Sequence, residues 1–549
     1  MMKMKLLAAC MLFAAQIALG VTVDVTRAGA KPDGQTLCTE VIQKAIDKCS
    51  AAGGGEVLLP AGLYLSGTLY LKDNVTLRLE AGATLLGSTR MEDYDPYNLI
   101  RATGAENIAI VGEGTLDGRG SSFWVAADLG RSRRQYGWVT TFRHDHPTDG
   151  KGRRLAPGNL ILLTECRNVR IEGVTLRDSE SWTVNLLACD EVMVRGVKIR
   201  NYLHGPNTDG IDIVASRNVT ISDCDIYTAD DAIVLKNRVQ KYWSRACENV
   251  TVTNCILTSS CNGFKIGTET LGDFRNIVFS NSVIKAGRPD EELARTGAST
   301  IQPDHWGNAL APLAGIAIES VDGSRIDGVS VSNIVMDEVR APIFIRLGAR
   351  NAAGDKSDKP CPGSIRNVSV SDVIARGAST ASSVTAVENA FVENVVLDNV
   401  LIHTKGGGTE QMAAVEMAEK RTSYPEATMW GHMPVSGLYV KNVKGMRIDG
   451  VQIFPDEADR RPLVLMENAA EVSVTGFVTG TGNAGASVFL LKGVRDVWFR
   501  DVRIPEAAPA AVWFEVTGGS EGVSVDTPQI ASLPSARVKS GAADKVSVR

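Results

Sequence analysis

The chain is dominated by short segments in which apolar and polar residues alternate, and these segments recur along most of its length. Four of them, NVTLRLEAG, NVRIEGVTLRDS, NVTISDCDIYTADD and NVTVTNCILTSS, begin at Asn74, Asn168, Asn218 and Asn249. Alternation with a period of two residues is typical of a β-strand with one buried face. The recurrent asparagine predicts a turn before each strand, because asparagine tolerates left-handed backbone geometry.

The spacing of these segments is a second pattern. From Asn168 to Glu191, Asn218 and Asn249 the steps are 23, 27 and 31 residues. A period in this range with two or three short strands predicts a solenoid, in which each coil buries its inner face against its neighbours. We therefore expect an all-β fold, a single-stranded parallel β-helix. A β-propeller would need four-stranded blades, whose signatures are absent.

One stretch near the N-terminus has a helical pattern instead. In CTEVIQKAIDKCSAAGGG, from Cys38 to Gly55, the apolar positions on one helical face are Val41, Ile42, Ala45 and Ile46. The glycines at its end stop the helix. This short helix is expected to cap the open N-terminal end of the solenoid.

The first twenty residues, MMKMKLLAACMLFAAQIALG, have a short basic start, a short apolar run and small residues at the end. This pattern predicts a secretory signal peptide, cleaved after Gly20, and hence a periplasmic or extracellular protein. Residues 21–549 are then expected to form one β-helix domain. The residues before Cys10 also resemble a lipoprotein signal, but almost no apolar run precedes them, so this alternative is less favoured. No other segment is apolar enough to span a membrane.

Composition and charge narrow the class further. The chain has 549 residues, of which 44% are hydrophobic, and a net charge of -5, so it fits a soluble globular protein without the basic surface of a nucleic-acid binder. Its cysteines include no CxxC pair, so no metal site is expected, and no cofactor is predicted. We expect a monomer. Four cysteines occupy equivalent points of the repeat and are predicted to be buried small residues: Cys166, Cys189, Cys224 and Cys255.

Two longer stretches interrupt the repeat, at residues 128–157 and 286–312. Long excursions from a rigid scaffold are usually functional loops. The first is rich in arginine and lysine, and guanidinium groups bind carboxylates in a two-pronged way. It fits either recognition of an acidic substrate or an ordinary solvated basic loop.

Three aspartates stand out against the repeat. Asp209 lies in NTDGIDI, and Asp230 and Asp231 lie in TADDAIVLK, about one coil later. Because matching points of successive coils stack, the three carboxyl groups are expected to converge on one face. Adjacent residues of a regular strand point to opposite faces, so the pair should lie at a turn or bulge. We interpret the neighbouring aspartates as ordinary turn residues: Asp212, Asp223 and Asp225.

A group of carboxyl side chains has a specific chemical use. Hydrolysis of a glycosidic bond needs one carboxylic acid that protonates the leaving oxygen and one carboxylate that activates water or attacks directly. Crowded carboxylates raise the pKa of one member, which keeps that acid protonated near neutral pH. The three aspartates therefore favour a glycosidase.

The sequence resembles glycoside hydrolase family 28, the polygalacturonase and rhamnogalacturonan hydrolase family. The resemblance begins with the segment from Val25 to Ser88 and continues through GEGTLDGRGSSFW, SWTVNLLAC, GPNTDGIDI and DDAIVLK. It covers most of the chain after residue 20. It implies a right-handed β-helix and a secreted, inverting hydrolase of pectic polysaccharides or oligosaccharides, with exo action favoured by the long loops.

The family motif implies roles for the matching residues. Asp230 corresponds to the general acid, and Asp209 and Asp231 correspond to the pair that binds and activates the attacking water. Further substrate contacts are expected from Asn207, Asn262, Lys265, Glu269, His204 and Glu319.

The sequence departs from the family at three motifs, one of which is TADD, where Ala229 stands in place of the glycine of many relatives. Asn262, in SCNGFKIGTE, stands where the family has the histidine of its Gly-His-Gly motif. Ala317 and Glu319, in GIAIES, stand where the family has the arginine and lysine that hold the galacturonate carboxylate. This argues against an ordinary endo-polygalacturonase. Either Lys265 and the basic loop supply the positive charge, or a neutral or deoxy sugar lies beside the scissile bond.

Two other classes remain open at this point. A polysaccharide lyase on a similar β-helix would use Ca²⁺ and a basic side chain, and it would make an unsaturated product that absorbs ultraviolet light. A glycan-binding or adhesive β-helix would need no catalysis, although it would also have no use for the three acids. We favour the hydrolase.

Overall fold

The computed structural model describes residues 20–95, 97–126, 140–142, 158–296, 308–354, 360–510, 512–527 and 537–548. Most of the predicted basic loop and part of the second loop lie outside these ranges. All of the predicted signal peptide except Gly20 also lies outside them.

The described chain is a right-handed parallel β-helix, as the sequence predicts. Forty of the described strands belong to one continuous sheet, in which every pairing joins parallel strands of successive coils. This pairing sorts the strands into three faces. A separate antiparallel pair is formed by β11 (Trp124–Ala126) and β12 (Thr140–Phe142).

Face one contains β2 (Asp33–Leu37), β4 (Gly62–Ser66), β7 (Ala83–Gly87), β10 (Thr115–Asp117), β15 (Thr175–Arg177), β18 (Lys198–Arg200), β21 (Asp225–Thr228), β24 (Ile256–Ser259), β34 (Gln452–Pro455) and β36 (Val478–Thr479). Face two contains β1 (Val21–Asp24), β3 (Gly55–Leu59), β6 (Val75–Leu79), β9 (Glu106–Gly112), β14 (Arg167–Glu172), β17 (Asp190–Arg195), β20 (Arg217–Ser222), β23 (Cys247–Thr253), β26 (Phe274–Lys285), β28 (Arg325–Asp337), β30 (Ser364–Ala378), β32 (Val392–Thr404), β33 (Leu438–Asp449), β35 (Val464–Thr475), β38 (Arg495–Arg500), β40 (Glu521–Asp526) and β42 (Val546–Val548).

Face three contains β5 (Leu69–Tyr70), β8 (Ile100–Thr103), β13 (Ile161–Thr164), β16 (Val184–Leu187), β19 (Ile211–Val214), β22 (Ile233–Asn237), β25 (Asn262–Thr270), β27 (Ala314–Ser320), β29 (Ala341–Leu347), β31 (Ser382–Ala386), β37 (Ser487–Lys492), β39 (Val512–Thr517) and β41 (Val538–Ser540). The first residues of β33 and β35 also pair within face three, and the last residues of β26, β28, β30 and β32 pair within face one. The helices are α1 (Thr39–Ala51), α2 (Pro289–Thr296) and α3 (Glu410–Ala413).

The recurrent asparagines form ladders along the outside of the solenoid. Asn218 and Asn249 both have φ 56°, in the left-handed region that the sequence predicts for them. Asn249 Nδ2 donates to Asn218 Oδ1 at 3.0 Å, and Asn276 Nδ2 donates to Asn249 Oδ1 at 3.0 Å. Each turn residue therefore bonds its equivalent in the next coil, which helps to hold the coils in register.

The predicted N-terminal cap is confirmed. Helix α1 packs mainly against β3, β5, β1 and β6, and it buries Ile42, Ala45, Ile46 and Cys49. Gly53 and Gly54 follow it with φ of 89° and 143°, values that a residue with a side chain adopts only under strain, so the helix ends there.

The interior is a continuous column of stacked aliphatic side chains. The four cysteines predicted to be buried are buried, and Cys166 faces Cys189 in the neighbouring coil, as Cys224 faces Cys255. No helix within the described ranges is both long enough and apolar enough to cross a membrane.

Candidate active site

The three aspartates lie together just before successive strands of face three. Asp209 precedes β19, and Asp230 and Asp231 form the bend between β21 and β22, as predicted. The Gly210 amide donates to the Asp231 carbonyl, and the Ala232 amide donates to the Asn262 carbonyl, both at 2.9 Å. These bonds continue the ladder, so Asp209, Asp231 and Asn262 occupy the same place in three successive coils.

Lys236 is an ion-pair partner of one of these acids. Its Nζ lies 2.7 Å from Asp209 Oδ2 and 2.7 Å from Asp212 Oδ1, and all three side chains are buried. Burial disfavours the charged amine, but the two carboxylates raise the pKa of Lys236 well above its ordinary value. The Trp182 ring lies 3.9 Å from the same Nζ. The amine therefore stays protonated, and the two carboxylates and the indole ring hold it in place.

Asp230 has a different environment. Burial raises its pKa well above the ordinary value, and the negative charges of Asp209 and Asp231 raise it further. Its carboxyl oxygens accept bonds from the Asp231 amide at 2.9 Å and from Asn207 Nδ2 at 3.4 Å. This carboxyl group therefore keeps its proton more readily than an ordinary aspartate does.

Asp231 is held by groups from the next coil and from a distant segment. Asn262 Nδ2 donates to its Oδ1 at 2.7 Å, and Lys265 Nζ lies 3.5 Å from its Oδ2. Lys265 Nζ also lies 3.1 Å from Glu426 Oε1 and 4.0 Å from Glu319 Oε2. One buried amine is therefore shared among three carboxyl groups.

These acids line a pocket of about 350 Å³, a size typical of small-ligand sites. The acid pocket is lined by Asn159, Ser181, Trp182, Asn185, Asn207, Asp209, Asp230, Asp231, Lys236, Arg238, Thr268, Glu269 and Tyr424. Glu269 forms an ion pair with Arg238 at 3.2 Å. Although burial opposes it, the positive charges of Lys236 and Arg238 lower the pKa of Glu269.

Residues 405–437, here called the covering segment, close one side of this pocket. The segment leaves the solenoid after β32, packs over the outer surface of face three, and returns at β33. Trp430 packs against Phe344, with ring centroids 6.0 Å apart, and near Ala317. Tyr424 reaches the pocket wall, and Glu426 reaches Lys265 beneath it.

The other predicted site residues divide into two groups. Asn207 and Glu269 line the pocket, whereas Asn262, Lys265 and Glu319 are completely or almost completely buried beneath its lining. These three side chains do not reach the surface of the pocket, so the structure does not place them in contact with a sugar.

His204 also lies outside the pocket lining. Its Nδ1 is 3.0 Å from Glu292 Oε1 on α2, and Glu292 Oε1 also accepts a bond from the Leu203 amide at 2.7 Å. His204 is therefore part of a link between α2 and the loop that precedes Asp209.

Sequence reasoning missed several residues of the site. Asp212 is not the turn residue that we expected. It lies inside β19, is completely buried and forms an ion pair with Lys236. Lys236 stands at the end of the TADDAIVLK motif, two residues after Val234, which is completely buried. A lysine on the same side of a buried strand needs buried acids as partners. Glu426 has no local signal, since Asn262 and Glu426 are 164 residues apart in the chain.

Comparison with known proteins gives a consistent result. Residues 49–286, which include all three aspartates, match the family model described as Glycosyl hydrolases family 28. An exopolygalacturonase from Zea mays is 25% identical over 338 residues, which cover 60% of this chain and 70% of that protein. An endo-polygalacturonase from Pectobacterium carotovorum subsp. carotovorum is 27% identical over 337 residues, which cover 57% of this chain and 73% of that protein.

Among solved structures, a hyperthermoactive exopolygalacturonase from Thermotoga maritima superimposes with a TM-score of 0.56 at 24% identity, covering 70% of this chain and 87% of that one. This similarity shows the shared fold. A parallel β-helix with this acid cluster and these relatives is a glycoside hydrolase. The part of the chain that matches the model of glycosyl hydrolases family 28 is residues 49–286.

Proposed function

We propose that this protein is an exported glycosidase that hydrolyses glycosidic bonds of pectic chains, acting from a chain end and with inversion of the anomeric configuration. The observation that carries the proposal is the convergence of Asp209, Asp230 and Asp231 in one pocket, with the pKa of Asp230 raised by burial and by its two neighbours. Inverting hydrolysis uses one protonated and one ionised carboxyl function.

Asp230 acts as the general acid in this proposal. A carboxyl group that retains its proton near neutral pH can give that proton to the leaving glycosidic oxygen. The Asn207 amide, 3.4 Å from Asp230 Oδ2, helps to orient the group. After bond cleavage the remaining carboxylate is stabilised by the two nearby lysines, whose positive charges lower its pKa.

Asp209 and Asp231 hold the attacking water. The Lys236 amine favours the ionised form of Asp209, although burial raises the pKa of that carboxyl group overall. Asn262 and Lys265 hold Asp231 in place. Asn262 stands where the family motif has a histidine, and in this proposal it holds the water-binding Asp231 in position.

Cleavage from a chain end is supported by the covering segment. The segment packs on face three next to the coil that holds Asn262 and Lys265. It buries the outer surface of the two following strands, β27 and β29. A polymer cannot continue across that side of face three. A chain end in the pocket is therefore the binding mode that fits.

Hydrolysis fits the site better than elimination does. A lyase needs a basic side chain that removes a proton. The guanidinium of Arg238 in the pocket lining is paired with Glu269 at 3.2 Å, and the amines beside the acids are Lys236 and Lys265. Despite burial, neighbouring carboxylates raise the pKa of both amines well above the ordinary value, so neither amine is a ready base.

The test compares the protein with its Asp230→Asn variant on homogalacturonan, rhamnogalacturonan and their oligomers. We expect new reducing ends, short products from the start of the reaction, no ultraviolet absorbance, and loss of activity in the variant by a factor of at least about a hundred. Asp223→Asn, at an exposed turn in the same coil, should be unaffected. Early NMR spectra of the released sugar should show the inverted anomer.

Several results would count against the proposal. Ultraviolet-absorbing products would indicate a lyase, and a broad range of long products would indicate internal cleavage. Equal activity of the Asp230→Asn variant would remove the proposed acid. Recovery of the unprocessed protein only from the cell interior would contradict export.

A further inference from the structure

Lys265 cannot serve as a substrate-carboxylate ligand in this arrangement. The side chain is 1% exposed, and its amine is already near the carboxyl groups of Glu426, Asp231 and Glu319. Glu319 adds a buried carboxyl group beside this amine, and Ala317 is packed under Trp430 of the covering segment. Among the residues that the structure describes, no cation at this end of the pocket is available to bind a substrate carboxylate.

Lys236 is committed in the same way. Its amine makes two contacts of 2.7 Å, to Asp209 and Asp212, and the Trp182 ring occupies another side. A substrate carboxylate could reach this amine only by displacing an aspartate that would then be a buried, unpaired anion. Such a displacement is strongly unfavourable.

The charges of the pocket lining are unbalanced. Its described lining contains four carboxyl groups and two cations: Asp209, Asp230, Asp231 and Glu269 with Lys236 and Arg238. Even with Asp230 protonated, three carboxylates face two cations in this lining, and the negative charges of Asp209 and Asp231 add to burial in raising the pKa of Asp230. Arg238 is the exception at the rim, because its side chain is 51% exposed and pairs with Glu269 alone among the ion pairs of the described residues.

We propose that the buried end of the acid pocket binds an uncharged sugar, a hexose or deoxyhexose, and that uronate carboxylates of the same chain bind only at the rim beside Arg238. This rests on the proposed function and names its substrate class. Neutral hydroxyl groups can donate hydrogen bonds to the pocket carboxylates, whereas a uronate carboxylate would add another acceptor and another negative charge.

The test measures binding to the hydrolytically impaired Asp230→Asn variant by calorimetry. The probes are homogalacturonan oligomers, the same oligomers after chemical reduction of their carboxyl groups, and rhamnogalacturonan oligomers, in which uronate and neutral sugars alternate. We expect the reduced and the alternating oligomers to bind at least about tenfold more tightly than the native homogalacturonan oligomers. Equal or tighter binding of the native homogalacturonan oligomers, or binding of none of the probes, would overturn the inference.

Hydrolysis of the same probes by the unaltered protein is read separately. Absence of Asp230-dependent reducing ends from all three probes would overturn the proposed function, while the binding order would still decide which sugar the buried end accepts. Hydrolysis of homogalacturonan together with its tighter binding would overturn only the uncharged-sugar inference.

A matched pair of variants tests the cause. Glu426→Gln removes one carboxylate from Lys265 and should shift the ratio of affinities toward native homogalacturonan oligomers several-fold. Glu416→Gln, at an exposed position of the same covering segment, should leave the ratio unchanged. An unchanged ratio in Glu426→Gln would mean that the charge around Lys265 does not set the preference.

Discussion

Lys236 is a buried residue whose loss should destabilise the fold. Replacing it with methionine leaves the buried carboxylates of Asp209 and Asp212 without their 2.7 Å partner. Breaking a buried ion pair on one side typically costs about 3 to 5 kcal/mol. We expect Lys236→Met to lower the melting temperature clearly and to abolish activity, as measured by differential scanning calorimetry and by release of reducing ends.

Two further variants separate charge from packing in this network. Lys241→Met removes an exposed lysine that pairs with Glu165, and it should change the melting temperature little. Adding Asp212→Asn to Lys236→Met removes one of the two unpaired charges and should recover part of the lost stability. If the double variant is no more stable than Lys236→Met, unpaired charge is not the cause of the loss.

The pH dependence of hydrolysis should follow Asp230. As the proposed general acid, Asp230 would act only while protonated, so activity should fall as the pH rises through its pKa, which lies above the ordinary aspartate value. The positive charge of Lys265 lowers that pKa. Lys265→Met should therefore raise the pKa of Asp230 and move the alkaline limb of the kcat/KM profile to higher pH.

Lys241→Met serves as the control for this profile, since its charge is exposed, pairs with Glu165 and lies outside the lining of the acid pocket. A shift of the alkaline limb to lower pH in Lys265→Met would contradict the assignment of that limb to Asp230. Loss of the limb altogether would show that another group limits the rate.

At the scale of elements, helix α2 is tied to the loop that leads into the site. Glu292, which is fully buried, accepts bonds from the Leu203 amide at 2.7 Å and from the Tyr227 hydroxyl at 3.0 Å. Glu292→Ala leaves these buried donors without that acceptor, at a cost of about 1 to 3 kcal/mol. We expect a lower melting temperature and a lower kcat/KM, because the same loop carries Asn207.

Glu291→Ala is the matched control for this link. Glu291 is exposed on the same helix and forms an ion pair with Arg288 at 3.6 Å. The two variants should therefore differ in both melting temperature and kcat/KM. Equal behaviour would mean that α2 does not position the loop.

The covering segment should determine where the chain is cut. Trp430 packs between Phe344 and Tyr439, and its Nε1 donates to the Ala418 carbonyl at 2.9 Å. Trp430→Ala should destabilise the segment by about 2 kcal/mol and loosen the closed side of the pocket. We expect a lower kcat/KM and a wider range of product lengths from polymer, measured by chromatography. Trp498→Ala, at a half-exposed position on β38, should leave the product lengths unchanged.

The sequence predicted this element only in part. It identified two excursions by composition, but it did not single out residues 405–437, which connect two well-defined strands and carry few charged motifs. The available signal was the run of three glycines from Gly406 to Gly408 followed by nearly thirty residues without alternation. What such a segment packs against depends on the outer surface of face three, which only the folded chain presents.

At the scale of the whole molecule, the ends of the solenoid must be covered. Helix α1 buries Ile46 completely against the first coils. An exposed end of a β-sheet pairs readily with other chains. Ile46→Asp places a charge in this apolar contact, so we expect oligomers or aggregates by size-exclusion chromatography with light scattering.

The control on the same helix is Lys44→Asp, an exposed position that pairs with Glu40 at 2.6 Å. It should remain in the same oligomeric state as the unaltered protein. If Ile46→Asp also keeps that state, the cap does not protect the solenoid end.

The sequence by itself determined the solenoid, its cap and the convergence of the three aspartates. Each of these follows from contacts between neighbouring coils, and such contacts repeat at a spacing that is visible in the residues. The alternation defines the buried faces, the asparagines define the turns, and one coil separates Asp209 from Asp231.

The tertiary structure alone decided the charge balance of the site. Whether Asp212 lies at a turn or inside a strand, and whether Lys265 faces substrate or buried acids, depends on strand bounds and on a segment that returns from 164 residues away. A repeat pattern carries no information about such a distant partner, because the energy of burying Glu426 beside Lys265 arises only after the segment folds over face three.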